Sequence, residues 1–429
     1  MPVRPPGSRR SPGAVVVSVL LCLGLALGYP GASRPDCLFP GPPGRTAVAA
    51  GAGPSGPSAP LVPDGAPEPP ALTASAAVLV DVASGRVLYA KNAHQKRAPA
   101  SLTKVMTALL ALEQGGLDAV VTVSDRAARP GGSSLWLEPG ESLTLRDLVY
   151  GLLLRSGNDA AEAIAEHVAG TVDDFVLLMN RRAAALGALD THFRNPHGLP
   201  DLGHLTTAAD LAVIARAAML RPDFREIVAT RQRVIPWEGR PWDRMLSNEN
   251  RFLSLYPGAD GVKTGWTSEA GRCLIASASR DGWRLVAVLL DAAEMWSDAC
   301  ELLDWGFGAF EPAVVFPAGA RVARARVAGA AERWVALRVE ERVEVAVLPG
   351  EVERLAAVPD VPPAVRSPLA EGEPVGSLRL LIDGATVSTF PLAAAEDVPR
   401  SGVLGRLVQD LWLLLLGALE RLLGRGAAT

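Results

Sequence analysis

The sequence predicts an α+β domain, then a small all-β domain and an amphipathic C-terminal helix. Between residues 74 and 311, short apolar strands alternate with segments whose apolar residues recur at helical spacing. Between residues 317 and 398, short runs of alternating apolar and polar residues are divided by Gly and Pro, which is typical of a β-sandwich-like domain. Residues 402–425 are strongly apolar, with charges recurring on one side of a helix.

Composition narrows the classes of function. The 429 residues include 42 basic and 46 acidic side chains, and the resulting net charge of −4 argues against a nucleic-acid-binding protein. Four cysteines in so long a chain exclude a disulfide scaffold, and we expect Cys273 and Cys300 to be buried thiols. With five histidines, few cysteines and no HExxH or CxxC pattern, the sequence leaves little for a structural or catalytic metal site.

The N-terminal residues 1–33 have the features of a secretion signal. Arginines precede an apolar run from Ala14 to Leu27, which is shorter than the ~20 residues that a membrane span needs. An uncleaved membrane anchor is the alternative. Residues 34–73 are dense in Pro, Gly and Ala without an apolar period, and this composition predicts a disordered tether.

The C-terminal segment, residues 402–425, predicts a helix that lies in a membrane interface. Its longest uncharged stretch, from Leu411 to Leu419, is too short to cross a bilayer. The charged residues and glycines fall near one face, and Leu, Val and Trp412 cover the rest. A helix packed on its own domain or on a second subunit is the alternative.

The predicted α+β domain, residues 74–311, begins with two strands joined at Ser84-Gly85. A helix follows from Ser101 to the Gly115-Gly116 pair, so Ser101 stands at a helix start. Residues 143–169 are helical in pattern, with an interruption from Arg155 to Asn158, and further helices are predicted downstream. A strand carrying GVKTGWT then precedes a hairpin that turns at Asp281-Gly282.

Three short motifs predict serine-based chemistry: Ser101-Leu-Thr-Lys104, Ser156-Gly157-Asn158 and Lys263-Thr264-Gly265. Each is weak alone. Ser101 could be a helix cap, Ser156 to Asn158 a turn, and Lys263 to Gly265 a strand end. In this order, within a chain that carries an export signal, they favour a nucleophilic serine.

The physical chemistry supports each residue. A serine hydroxyl is a poor nucleophile until a base takes its proton. Lys104 lies one helical turn after Ser101 and can be that base if it is neutral, a state that burial and the charge of Lys263 would favour. Ser156 can relay a proton to the leaving amine, and Asn158 can hold Lys104 or a substrate carbonyl.

The third motif suits the far end of a substrate. Lys263 by its charge and Thr264 by its hydroxyl can contact a carboxylate. Gly265 has no side chain, so a substrate backbone can lie flat against the strand edge.

The chain resembles the low-molecular-mass penicillin-binding proteins of the serine D-Ala-D-Ala carboxypeptidase family, peptidase family S11. The resemblance covers roughly residues 74 to 310. It rests on PASLTKVMTALLAL, LLLRSGNDAAEAIAEHVAG, FRNPHGLPDLGHLTTAADLA, YPGADGVKTGWTSEAG and LLDWGF. It implies a catalytic domain of the β-lactamase and transpeptidase type, with an antiparallel sheet flanked by helices. The C-terminal region is similar to the β domain and membrane anchor of these enzymes.

The resemblance also implies a reaction. Ser101 would attack the carbonyl between the two terminal D-alanines of a peptidoglycan stem peptide, and water would hydrolyse the acyl-enzyme. Lys104 would be the base and Ser156 the relay. The backbone N–H groups of Ser101 and Trp266 would form the oxyanion hole. The implied partners are the stem peptide, β-lactams as acylating inhibitors and the membrane surface, at the outer face of the cytoplasmic membrane. Neither a metal nor a cofactor is implied.

The chain departs from the family pattern at one place, and several alternative functions remain open. Many family members carry an Arg just before the closing helix, where this chain has Glu294 and Met295. A second contact to the substrate carboxylate is therefore unassigned. The same scaffold could serve a D,D-endopeptidase or a β-lactamase, although no carboxylate is identifiable as a deacylating base. A catalytically silent wall-binding module is the alternative from another class.

Overall fold

The computed structural model describes residues 61–237, 239–328, 330 and 334–400. The predicted signal peptide (residues 1–33) and membrane helix (residues 402–425) lie outside the described residues, as does the tether up to residue 60. The rest of the segment predicted to be disordered, residues 61–73, packs on the first domain instead, because Leu61 pairs with Ala90, Pro67 O accepts from Trp305 Nε1 and Leu72 joins a buried core of that domain. Within the described ranges, no helix combines the length and apolar character needed to cross a membrane.

A five-stranded antiparallel sheet organises the first domain, and two-stranded ribbons accompany it. The nine strands are β1 (Ala76–Asp81), β2 (Val87–Lys91), β3 (Val120–Thr122), β4 (Ser142–Thr144), β5 (Gln232–Ile235), β6 (Arg244–Ser247), β7 (Ala259–Thr267), β8 (Gly271–Arg280) and β9 (Trp283–Leu290). The order in the main sheet is β2-β1-β9-β8-β7, so β7 is an edge strand. Asp281 and Gly282 have φ of 51° and 87° in the β8–β9 turn, which confirms the predicted hairpin.

Eight helices lie around this sheet among the described residues. They are α1 (Lys104–Gln114), α2 (Leu145–Leu154), α3 (Asn158–Ala169), α4 (Val172–Leu186), α5 (Ala208–Met219), α6 (Pro222–Ala229), α7 (Phe252–Leu255) and α8 (Met295–Ala309). Threonine caps begin α2, α4 and α5, because the hydroxyls of Thr144, Thr171 and Thr207 accept from backbone N–H groups three residues on.

The main sheet separates two cores because its side chains alternate between its faces. Val78 and Ile275 pack with α1, α2 and α5 on one face. Leu79 and Leu274 pack with α8 on the other. Cys273 is buried as expected, whereas Cys300 on α8 is only partly buried, so that part of the expectation is wrong; both are free thiols.

The C-terminal domain is built from strands around its own apolar core. Its strands are β10 (Glu311–Phe316), β11 (Arg321–Ala328), β12 (Trp334–Arg338), β13 (Val343–Val347), β14 (Leu355–Asp360), β15 (Val365–Arg366), β16 (Pro374–Ile382) and β17 (Ala385–Ala394). The larger sheet has the order β14-β16-β17-β12-β11-β15, and β10 pairs with β13. These two domains confirm the predicted fold class. Strand β10 lies ahead of residue 317, where the sequence placed the start of this domain.

A buried ion pair ties the two domains together. Arg86, at the turn between β1 and β2, donates to both carboxylate oxygens of Glu351 at 2.7 Å and to Ala346 O at 2.7 Å. Both charged side chains are about 5% exposed. The adjacent Ser84 O accepts from Ser388 Oγ at 2.6 Å. The β1–β2 turn is therefore the docking point for the β domain.

Removing one partner of this pair would leave a buried charge uncompensated. We expect Glu351→Ala to lower the free energy of unfolding by roughly 3–5 kcal/mol, measured by urea denaturation. Arg354→Ala, which breaks the exposed pair with Asp383, is the control and should cost less than about 1 kcal/mol. Equal losses in the two variants would contradict this assignment.

Candidate active site

Ser101 lies in a 3₁₀ turn, Ala100–Thr103, that leads directly into α1. Ala100 has a φ of 48°, which is unusual for a residue with a side chain. The loop between α4 and α5 packs against this turn at Gly198, where a Cβ would lie only 1.8 Å from Ala100 O. Close packing therefore fixes the position of the serine.

Lys104 is fully buried, and its amine has three close partners. Nζ lies 2.9 Å from Ser101 Oγ, 2.7 Å from Asn158 Oδ1 and 2.7 Å from His197 O. The sequence predicted the first two neighbours. It missed the third, because a backbone carbonyl contributes no motif of its own. These contacts bring together α1, the start of α3 and the loop after α4.

Burial holds the pKa of Lys104 well below its usual 10.5, and the charge of Lys263 lowers that pKa further. Glu249 and Asp159 act in the opposite direction. Lys263, which the sequence predicts as the cation near Lys104, is thus close enough to affect the protonation of the Lys104 amine. A lysine in this setting can exist as a neutral amine.

The second motif forms the turn between α2 and α3. Ser156 has a φ of 60° and lines the open cleft next to Ser101. Asn158 is the first residue of α3, and its Nδ2 donates to Gly131 O at 2.6 Å while its Oδ1 holds Lys104. Asn158 is only 3% exposed, so its contacts within the protein position the lysine.

Asp159, which sequence reasoning missed, shapes the rim beside this turn. Its carboxylate accepts from Ser134 Oγ at 2.6 Å and from the backbone N–H groups of Leu135 and Leu137. It is 1% exposed. The only available sequence signal is its place next to Asn158. This carboxylate fixes the segment that contains Ser133, a cleft residue.

The third motif lies on β7, at the edge of the main sheet. Lys263 is 1% exposed, and its Nζ donates to Thr264 O at 2.9 Å. Burial lowers its pKa to about 8. Gly265 lies against the nucleophile turn, since a Cβ there would be 3.0 Å from Ser101 N. The absence of a side chain therefore lets the strand approach Ser101 closely.

The cleft between β7 and the helical layer has a volume of about 380 Å³. Its lining contains Ser101, Ser133, Ser156, Glu249, Thr264, Gly265, Trp266, Arg272, Met295 and Trp296. Lys104, Asn158 and Lys263 lie behind this surface. The sequence did not predict roles for Ser133, Glu249, Arg272 or Trp296, which reach the cleft from separate elements. No cluster of metal-ligating side chains occurs in the part of the chain that the structure describes.

Comparisons with known proteins agree with this architecture. Residues 64–294 match the family model for D-alanyl-D-alanine carboxypeptidase, and residues 310–400 match that for the C-terminal domain of penicillin-binding protein 5. The chain is 35% identical to the D-alanyl-D-alanine carboxypeptidase DacF of Bacillus subtilis, over 77% of this chain and 87% of the relative. It is 34% identical to DacC of Escherichia coli, over 79% and 88%. Penicillin-binding protein 5 of Haemophilus influenzae has a similar structure, with a TM-score of 0.61, 31% identity, and coverage of 78% of this chain and 99% of that one.

The contact between Gly198 and Ala100 can be tested by substitution. Gly198→Ala should lower the free energy of unfolding by more than the roughly 1–2 kcal/mol cost of a left-handed residue, because its Cβ would collide with Ala100 O. Gly203→Ala is the matched control, since Gly203 has a similar φ of 83° and open space around it. Equal losses in urea denaturation would show that the contact does not constrain the turn.

Proposed function

The chain belongs to the D-alanyl-D-alanine carboxypeptidase family, peptidase family S11, and we propose that it acts through an acyl-enzyme on Ser101. It is accordingly a D,D-carboxypeptidase and a penicillin-binding protein. The substrate we assign is a peptidoglycan stem pentapeptide, from which the terminal D-Ala is removed. We further propose that β-lactams acylate the same serine.

The observation that carries the proposal is the set of partners around Lys104 Nζ. A neutral amine has two hydrogens and one lone pair. Asn158 Oδ1 and His197 O are both acceptors, so they suit the two hydrogens. The lone pair is then left for the hydroxyl hydrogen of Ser101, whose Oγ lies 2.9 Å away. This arrangement suits a base that takes the serine proton.

In acylation, Lys104 takes the proton as Ser101 Oγ bonds to the carbonyl carbon of the penultimate D-Ala. Negative charge develops on the carbonyl oxygen, which we assign to the backbone N–H groups of Ser101 and Trp266. The C–N bond then breaks. The leaving amine receives its proton from Lys104 through Ser156, and D-Ala departs. Water afterwards adds to the ester, which restores Ser101 and releases the shortened peptide.

The third motif binds the substrate in this scheme. Thr264 offers a hydroxyl within the cleft, and Gly265 lines the cleft beside it, where we place the peptide backbone along the strand edge. Lys263 is buried behind Thr264, so its charge acts on the carboxylate and on Lys104 through the local field. We assign Asn158 to the same site, where it holds the base next to the scissile carbonyl.

The chain ends suggest where this reaction takes place. We propose that residues 1–33 are an export signal, that residues 34–60 of the predicted tether connect it to the first domain, and that residues 402–425 attach the enzyme to the outer face of the cytoplasmic membrane. Residues 74–311 would then be the catalytic domain, and residues 317–398 would space it from the lipid.

The direct test is release of D-Ala from an N-acylated L-Lys-D-Ala-D-Ala peptide by the membrane-bound full chain, with Ser101→Ala as the control. We expect release that depends on Ser101. Stable penicillin labelling of Ser101 without release would replace this substrate with another, such as a cross-linked dimer. If the chain shows no release of D-Ala and no labelling by penicillin, that result favours the silent wall-binding module.

Loss of the base or of the relay should slow acylation. We expect Lys104→Ala and Ser156→Ala each to lower the rate of penicillin acylation by about 10²–10⁴-fold, because proton transfer from Ser101 then lacks its partner. The rate is measured with a fluorescent penicillin. Lys96→Ala, at an exposed lysine paired with Asp190, should leave the rate unchanged. A wild-type rate in either of the first two variants would remove that residue from the mechanism.

The attachment proposal predicts a separable anchor. A chain that ends at Arg400 should stay in the supernatant when mixed with vesicles containing anionic lipid, whereas the full chain sediments. Release of D-Ala from the soluble peptide should be equal for the two chains. Continued sedimentation of the shortened chain would place the membrane contact elsewhere.

A further inference from the structure

Arg272 and Thr264 project from the same face of the main sheet. Arg272 on β8 lies directly opposite Trp266 on β7, and Thr264 is two residues from Trp266. Side chains of opposed residues, and of residues two apart on one strand, share a face. The packing agrees, because Leu274, two residues beyond Arg272, belongs to the core on the α8 side. Thr264, Trp266 and Arg272 all line the cleft.

The guanidinium of Arg272 is held at the rim of the cleft. Its Nη1 donates to Ala293 O at 2.8 Å, and its own carbonyl accepts from Ala292 N at 2.8 Å. These contacts connect Arg272 to the segment that leads into α8. The side chain remains exposed, so the other N–H groups of the fork are available to a ligand.

Arg272 has no ion-pair partner among the residues that the structure describes. The neighbouring Asp291 pairs with Arg97 and accepts from Ser75 Oγ. Glu249, the carboxylate in the cleft lining, pairs with Arg155 at 3.5 Å. Arg272 therefore lines the same cleft as Ser101 without an ion-pair partner among the described residues.

The other cation of the site is less accessible. Lys263 is 1% exposed and donates to a backbone carbonyl, so Arg272 is the cationic side chain among the described residues lining the cleft. Met295, in the neighbourhood where many family members carry an Arg, lines the cleft next to Trp296. A carboxylate entering along β7 thus meets the hydroxyl of Thr264 and the guanidinium of Arg272.

We propose that Arg272 binds the terminal carboxylate of the substrate together with Thr264, and so selects peptides with a free C-terminus. This proposal rests on the proposed D,D-carboxypeptidase function. A guanidinium can donate two parallel hydrogen bonds to a carboxylate, which adds geometric selectivity to the attraction of opposite charges. In this chain the contact comes from the sheet, one strand in from its edge, rather than from the segment before α8.

The proposal predicts which step of the reaction depends on Arg272. The terminal carboxylate belongs to the D-Ala that leaves during acylation, so the acyl-enzyme no longer carries it. Arg272 therefore promotes binding and acylation, and hydrolysis of the peptidyl acyl-enzyme proceeds without it. A peptide whose C-terminus is amidated lacks the contact from the beginning.

The test compares the free acid and the C-terminal amide of N-acylated L-Lys-D-Ala-D-Ala, using the full chain. Arg272→Gln should lower kcat/KM for the acid about tenfold or more, chiefly by raising KM. The value of kcat/KM for the amide should stay unchanged. Arg272→Lys should lose less, since it keeps the charge. Arg280→Gln, on the same strand but paired with Asp304, should leave the ratio of the two substrates at the wild-type value.

A second variant tests the position of the charge. Adding Met295→Arg to Arg272→Gln should restore part of the preference for the acid, because it returns a guanidinium to the same cleft. The proposal is overturned if Arg272→Gln keeps the wild-type preference, or if it loses acid and amide activity equally. Should the wild type release no D-Ala, or release it independently of Ser101, the proposed function fails, and the role of Arg272 fails with it.

Discussion

The burial of the Lys104 amine is the constraint on which the rest of the site depends. An amine with no access to water must be surrounded by acceptors or lose its charge, and here Asn158 Oδ1 and His197 O occupy two of its positions. Those two groups come from α3 and from the loop that carries Gly198. The same contacts that lower the cost of burial leave the third position of the amine to Ser101.

The fold supplies these contacts from opposite sides of one cleft. The helical layer provides the turn with Ser101 and the start of α3, while the edge strand β7 brings Gly265 against the serine backbone and Lys263 near the amine. The Arg86–Glu351 pair adds the β domain at the far side of the sheet, on the β1–β2 turn. The site is thus formed entirely within the first domain.

Sequence reasoning reached the parts of the site that are local in the chain. The spacing from Ser101 to Lys104, the turn at Ser156 and the strand with Lys263 all follow from short-range patterns. The contributions of Asp159, the His197 carbonyl and Arg272 could not be predicted this way, because each becomes meaningful only through a long-range contact. The buried position of Lys263, behind the cleft surface, likewise required the packing of both layers.

The role of Lys104 as a neutral base is tested most directly by the pH dependence of penicillin acylation in the wild type and in Lys263→Gln. Below its pKa Lys104 is protonated and cannot accept the serine proton, so the rate falls on the acid side. Because the charge of Lys263 lowers the pKa of Lys104, removing it should move this acid limb to higher pH. An acid limb at the same pH in both proteins would contradict the claim that Lys104 is a neutral base maintained by burial and by Lys263.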